Sequence, residues 1–178
     1  MCAIEVTPVV STERLILRGP VVNDACAIAT CANDLNVAGM TTSMPHPYGH
    51  GDAEAWIAGA MACDWETQAR FVIEHRNFGV VGLLDFDQDR GSKVEIGYCL
   101  GRPFWNRGYA TEAVRAALKW VKRDWRANVV VAGHFADNPA SGAVLCKAGF
   151  LYTGDVEQRR SVARGRDDVP TRMMVWLA

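Results

Sequence analysis

The chain has 178 residues, 49% hydrophobic and 22% charged, an ordinary globular balance that can fill one well-buried core. Its formal net charge of -1 leaves no global field to draw in nucleic acid or an anionic membrane. Cys2, Cys26, Cys31, Cys63, Cys99 and Cys146 form no C-x-x-C pair and do not combine with the four histidines at zinc-like spacing, so no metal is expected and the cysteines read as small core residues of a reduced, cytoplasmic protein. The N-terminal stretch lacks the basic and apolar regions of a signal peptide, and no run approaches the roughly 20 apolar residues of a membrane span.

In chain order, Arg14 to Arg18 reads as a strand and Val21 to Asn36 as one helix starting near Asn23 or Asp24. "TSMPHPYGHGD" is a loop, and Asp52 is the expected N-cap of a second helix carrying Ala55, Trp56, Ile57 and Ala58. The period then changes to that of strands. Arg70 to Arg76 and Gly79 to Asp87 form a hairpin over Asn77-Phe78-Gly79, and Ser92 to Leu100 follows the turn Asp89-Arg90-Gly91. Ala110, Ala113, Val114, Ala117, Leu118 and Val121 mark one face of a helix starting near Gly108. Asn128 to Phe135 is an apolar, central strand. Asn138-Pro139 opens a short helix that Gly149 ends, and "TRMMVWL" is the last strand. Arg159, Arg160, Arg164 and Arg166 read as a solvated basic loop. Hairpins first and a strand–helix–strand crossover later imply an α+β (mixed α/β) fold, a mixed sheet with helices on its faces, within one domain over 1–178.

"YCLGRPFWNRGYATEAV" (Tyr98 to Val114) carries a strand end through a glycine-bearing turn into a helix start. Unpaired N–H groups and the positive end of the helix dipole suit an anion there, above all a phosphate. Gly108 permits close approach, and Arg107 and Arg102 would add charge-assisted contacts. A tight turn with exposed arginines satisfies the same residues. The stretch is neither a P-loop nor G-x-G-x-x-G.

"EIGYCLGRPFWNRGYATEAV" followed by "FADNPASGAVLCKAGF" resembles the acetyl-CoA site of GNAT N-acetyltransferases, in the RimJ/RimL-like branch. "STERLILRGPVVNDA" resembles that branch's first strand and helix, so the resemblance spans about Thr12 to Trp176. It implies the GNAT fold, a mixed and mostly antiparallel central sheet flanked by helices, with acetyl-CoA as co-substrate. The implied binding residues are Tyr98, Cys99 and Leu100 along the pantetheine arm, Trp105, Asn106, Arg107, Gly108, Tyr109, Ala110 and Thr111 around the pyrophosphate, and Asn138 and Ser141 near the thioester. The strands Val94–Leu100 and Val129–Phe135 are expected to splay apart. Trp105 stands where the broad superfamily has Gln or Arg, as is usual in this branch.

Acetyl transfer needs a neutral amine, a stabilised oxyanion and a proton or hydrogen bond for the departing thiolate. Glu95, on a strand face with Gly97 and Cys99, is the candidate base, with a sheet-surface glutamate as the equally good alternative. Glu112 in a helix's first turn is explained by the dipole alone. Many relatives place a tyrosine acid where this chain has Leu145, so the resemblance leaves Ser141 to hydrogen-bond the sulfur or relay a proton. Cys99 and Cys146 have no histidine partner for an acyl-cysteine route. By analogy the acceptor pocket is walled by Met44, Pro45, His46 and Tyr48 and by Arg159 to Asp168. His75 and His134, and Trp56, Trp65, Trp120 and Trp125, read as structural packing. The expected activity is direct acetyl transfer to a primary amine, either a protein N-terminus or a small molecule. The rival is an idle acyl-CoA-binding module of the same fold. The resemblance also leaves a homodimer open, and no nucleic-acid or membrane partner is expected.

Overall fold

The computed structural model describes residues 7–89 and 93–178. Cys2, most of the predicted turn at Asp89-Arg90-Gly91 and the first residue of the strand predicted from Ser92 lie outside the described residues.

The chain builds one eight-stranded sheet in the order β1-β2-β3-β4-β5-β6-β8-β7. β1 (Val10–Ser11) and β2 (Leu15–Arg18) lead to α1 (Ala25–Ala32), α2 (Leu35–Ala38) and α3 (His50–Met61). β3 (Gln68–His75), β4 (Gly79–Gln88) and β5 (Val94–Leu100) form an antiparallel meander. α4 (Tyr109–Asp124) crosses over to β6 (Val129–Phe135), and α5 (Pro139–Ala148) leads to the antiparallel pair β7 (Leu151–Ser161) and β8 (Arg166–Leu177). β6 is an interior strand, as its apolar run predicts, because it lies between β5 and β8.

Each face of the sheet has its own core. On one, Tyr109, Ala113, Val114, Ala117, Leu118, Trp120 and Val121 of α4 pack on Leu17, Phe71, Phe86 and Ile96. On the other, α1 and α3 pack Ile28, Ala53 and Ile57 on Val72, Val80 and Leu83. Burying a large apolar side chain stabilises by about 1.5–3 kcal/mol, so both layers hold the sheet firmly.

Three local expectations need correction. The single helix from Val21 to Asn36 is a 3-10 turn, α1 and α2, because Asn33 leaves the helix and its side-chain oxygen accepts from the Tyr48 N–H at 3.0 Å. Asp34 then caps α2 through the Asn36 N–H. Asp52 is the third residue of α3, not its N-cap; its carboxylate accepts from the N–H of Gly49, the residue that holds the cap. The basic stretch is a hairpin in place of a loop, with Arg159 and Arg160 on β7 and Arg166 on β8.

Candidate active site

β5 and β6 are parallel but share only the register pairs Val94↔Val130 and Glu95↔Val131. Beyond Glu95 the strands separate, so β5 from Ile96 to Leu100 has no β6 partner. A cavity of about 920 Å3 occupies this opening. Its lining includes Glu95, Tyr98, Cys99, Leu100, Trp105, Asn106, Gly108, Tyr109, Ala110, Thr111, Asn138 and Ser141, residues the sequence singles out on β5, on the turn into α4 and at the start of α5.

The helix start at the cavity is made by backbone. Gly108 holds φ 80, a left-handed conformation that a Cβ disfavours, and it caps α4 without any side-chain hydrogen bond. The first N–H groups of α4 therefore keep no capping side chain and face a ligand-sized space. Asn106 also takes a left-handed turn at φ 60. The Trp105 indole N–H donates to the Leu100 carbonyl at 2.8 Å, which braces the loop against the end of β5. Arg107 is absent from the lining, and its carbonyl accepts from Arg14 at 3.0 Å. Arg102 lies 3.8 Å from Asp34 and is likewise off the lining. The cavity wall at this turn is thus made of backbone N–H groups, with those two guanidinium groups outside its lining.

Glu112 anchors this helix. It accepts from Thr12 Oγ1 at 2.6 Å and from the Arg14 backbone, and pairs with the Arg14 guanidinium at 2.6 Å. Burial pushes its carboxyl up, but these donors outweigh it and hold the group below the usual carboxylate range.

At the other end of the opening, the Tyr98 hydroxyl lies 2.8 Å from Ser141 Oγ. Asn138 caps α5 by accepting from the Ser141 N–H at 3.2 Å, which fixes the serine at the first turn. Leu145 is fully buried in the α4-side core and has no access to the cavity. The Tyr98 hydroxyl, which the sequence reading placed on the pantetheine arm, is the aromatic hydroxyl beside Ser141 in this structure. Burial pushes the Tyr98 phenol up to about 12, so it stays protonated and able to donate. Burial also raises the Cys99 thiol to about 12, which leaves no thiolate for an acyl-cysteine route.

The acceptor side is built from side chains. Met44, Pro45 and Tyr48 line the cavity as expected; His46 does not. Of Arg159 to Asp168 only Arg159 reaches the lining, where its guanidinium pairs with both oxygens of Glu95 and with Glu157 at 2.9 Å. Arg164 ties the hairpin turn to the end of α2. Its Nε donates to the Gly39 carbonyl, and it pairs with Asp137 at 2.7 Å, which holds that carboxyl low. His75 stacks on Phe78, and His134 uses its ring nitrogens on the Phe135 carbonyl and the Tyr152 hydroxyl.

Several lining residues escaped the sequence reading, a buried carboxylate among them. Asp85 of β4 lies opposite Gly97 of β5. A Cβ on Gly97 would come within 2.4 Å of Asp85 Oδ1, so this glycine makes room for the carboxylate. Burial first, and then the charges of Asp87 and Glu95, push the Asp85 carboxyl up to about 6 against the pull of Arg70. The available signal was a carboxylate inside the apolar run "GVVGLLDFD" facing a glycine in the next strand.

The family model of the acetyltransferase (GNAT) domain matches residues 14–151. The chain belongs to the GNAT family. It is an acetyl-CoA-dependent N-acyltransferase by that membership. It is 28% identical over 156 residues to the uncharacterized N-acetyltransferase YoaA of Bacillus subtilis (strain 168), covering 85% of this chain and 87% of that protein. The fold superposes on RimL, a ribosomal L7/L12 alpha-N-protein acetyltransferase solved with coenzyme A, with a TM-score of 0.82 and 18% identity over 96% of this chain and 98% of RimL. It also matches the microcin C7 self-immunity acetyltransferase MccE, solved with acetyl-CoA and AMP, at a TM-score of 0.81 and 19% identity over 94% of each chain. Among the described residues no helix is long and apolar enough to cross a membrane, and no three His, Cys, Asp or Glu side chains group as a metal site.

Proposed function

We propose that this GNAT enzyme moves the acetyl group of acetyl-CoA directly to a primary amine, in the manner of the RimJ/RimL-like branch, with no covalent enzyme intermediate. The observation that carries the proposal is the junction of three features in one cavity: the uncapped start of α4 at Gly108, the unpaired edge of β5, and the Tyr98–Ser141 hydroxyl pair. The N–H groups from Asn106 to Thr111 hold the pyrophosphate. The free backbone from Tyr98 to Leu100 pairs with the pantetheine arm, with Asn138 beside it. The thioester then reaches Ser141.

The amine attacks the thioester carbon, forming the C–N bond, and collapse of the tetrahedral adduct breaks the C–S bond. Ser141 supplies a proton to the leaving sulfur, backed by Tyr98, and the surplus proton on the new amide nitrogen replaces it. A carboxylate on the β4–β5 face removes the first proton from the incoming ammonium. Glu95 is on that face and held in place by Arg159. The idle-module alternative loses its main support once Tyr98 replaces the hydroxyl that Leu145 lacks.

RimL's own description favours a protein α-amine as acceptor. An α-amine, with a reference pKa of about 8, is also easier to neutralise than a lysine amine at about 10.4. The test is a mass-spectrometric screen with acetyl-CoA against peptides of varied N-terminal residue, polyamines, amino acids and aminoglycosides. Enzyme-dependent gain of one acetyl group on an amine supports the proposal. A blank panel with acetyl-CoA bound leaves an acceptor outside the panel or the idle module, and a blank panel without binding overturns the acetyl-CoA site itself.

A further inference from the structure

The β4–β5 ladder sets three carboxylates on the face that carries the cavity: Asp85 and Asp87 of β4, and Glu95 opposite Asp87. Two have arginine partners. Asp87 is paired with Arg70 at 2.5 Å, and Glu95 is gripped by Arg159. Asp85, between them, forms no ion pair with any described residue, although it lines the cavity and Gly97 is kept bare to admit it. Arg70, opposite Asp85 in the β3–β4 register, donates to Asp87 and to the Phe86 carbonyl instead.

A carboxylate withdrawn from water, whose facing arginine is hydrogen-bonded elsewhere, is costly unless a second cation arrives. The cavity's remaining lining near it offers none: Leu83 and Cys99 lie next in register, Tyr48 and Asp52 come from the α2–α3 side, and Arg159 is already engaged by Glu95 and Glu157.

We infer that Asp85 receives the acceptor's ammonium group and takes its first proton, while Glu95 with Arg159 acts as a positioning pair beside it. This rests on the transferase reading above and deepens it, because it assigns the proton acceptor and makes the substrate a cationic amine. The step balances simply. R–NH3+ and the Asp85 carboxylate become R–NH2 and the Asp85 carboxylic acid, with no net charge left on the reacting pair. The neutral amine attacks the thioester, and after the C–S bond breaks the Asp85 proton returns to solvent. Asp87 and Glu95 are each held by an arginine, whereas the Asp85 carboxyl, raised to about 6, is matched to proton exchange near neutral pH.

The experiment follows acetylation of a serine-initiated peptide and of spermidine by mass, at saturating acetyl-CoA, from pH 5 to 9, for the wild type, Asp85→Asn and Glu95→Gln. Acetyl-CoA affinity is measured in parallel by titration calorimetry. The expected wild-type kcat/KM falls below about pH 6. Asp85→Asn loses about 100-fold and the acid limb with it, the size typical of a general base, with acetyl-CoA affinity unchanged. Glu95→Gln keeps the acid limb and has a raised acceptor KM. An Asp85→Asn variant that retains wild-type kcat/KM with the same limb overturns the inference. So does loss of the limb in Glu95→Gln alone. If neither amine is acetylated while acetyl-CoA binds, these two acceptors are excluded, and melting temperatures decide the Asp85 question separately. A gain of Asp85→Asn over wild type that grows from pH 4 to 7 supports an unpaired, cation-seeking carboxylate; equal melting at every pH overturns it.

Discussion

The two ends of the cavity are made of different material. The cofactor end is backbone: a left-handed glycine, the first N–H groups of α4 and an unpaired strand edge. The acceptor end is side chain: Asp85, the Glu95–Arg159 pair, Tyr48 and Met44, with Arg164 tying the hairpin to α2. Backbone groups recognise what every acetyl-CoA presents, so this end needs only the right turns. On the proposed reading the charged end is where an acceptor is chosen, and its contacts come from strands far apart in sequence. Substitutions at the two ends should therefore separate acetyl-CoA affinity from acceptor chemistry.

The largest expected break lies at the point where the two ends meet. Ser141→Ala removes the proposed donor to sulfur and leaves the α5 cap on its backbone N–H. Turnover should fall about 100-fold, the scale of a lost proton donor, with acetyl-CoA affinity within about threefold in calorimetry. Unchanged turnover would remove Ser141 from the chemistry.

Asp85 gives a sharper contrast because its predicted effect on stability has the opposite sign to its effect on rate. A folded-state pKa near 6, above the ordinary aspartate value of about 3.9, means the native state binds this proton more tightly. Its contribution to stability is full below about pH 4 and is lost as pH rises through 6. Asp85→Asn should thus be more stable than wild type at pH 7, by on the order of 1–2 kcal/mol, and level with it at pH 4. Chemical denaturation at the two pH values checks this.

Gly108→Ala tests the backbone end. A Cβ in the left-handed region costs about 1–2 kcal/mol, which the loop meets by shifting its N–H groups. Acetyl-CoA affinity should weaken about tenfold, since 1.4 kcal/mol is a factor of ten, while the acceptor KM at saturating acetyl-CoA stays near wild type. Equal weakening of both would show that the two ends are not separable.

The smallest effect is expected at Arg164→Ala. It frees the hairpin from Gly39 and Asp137 without touching the helix start. The acceptor KM should rise about threefold and acetyl-CoA affinity should hold, because a partly exposed ion pair contributes about 1 kcal/mol or less. Steady-state kinetics with the responding amine reads both.

The same division explains what was legible in the sequence. Strand and helix periods, the Asn138-Pro139 start and the glycine turn at Gly108 are local signals, and the structure follows them closely. The break at Asn33 was not legible, because the Tyr48 N–H that draws out its side chain comes from fifteen residues away. β7 was hidden for another reason. It is exposed along nearly its whole length, so it shows no alternation, and only pairing with β8 makes it a strand. Glu95 was visible as a carboxylate on the right face, but its Arg159 partner was not, since 64 residues separate them. Asp85 was missed because its meaning depends on Gly97 opposite and on arginines that engage its neighbours instead.

The most direct test of the central claim is a map of backbone amide chemical shifts as acetyl-CoA is added to the 15N-labelled protein. Large changes are predicted at Asn106 and from Gly108 to Thr111, and along β5 from Gly97 to Leu100, with little change at the Arg164 tie. Absence of binding, or changes confined to the hairpin and the α2–α3 side, would contradict the account of a backbone-built acetyl-CoA site.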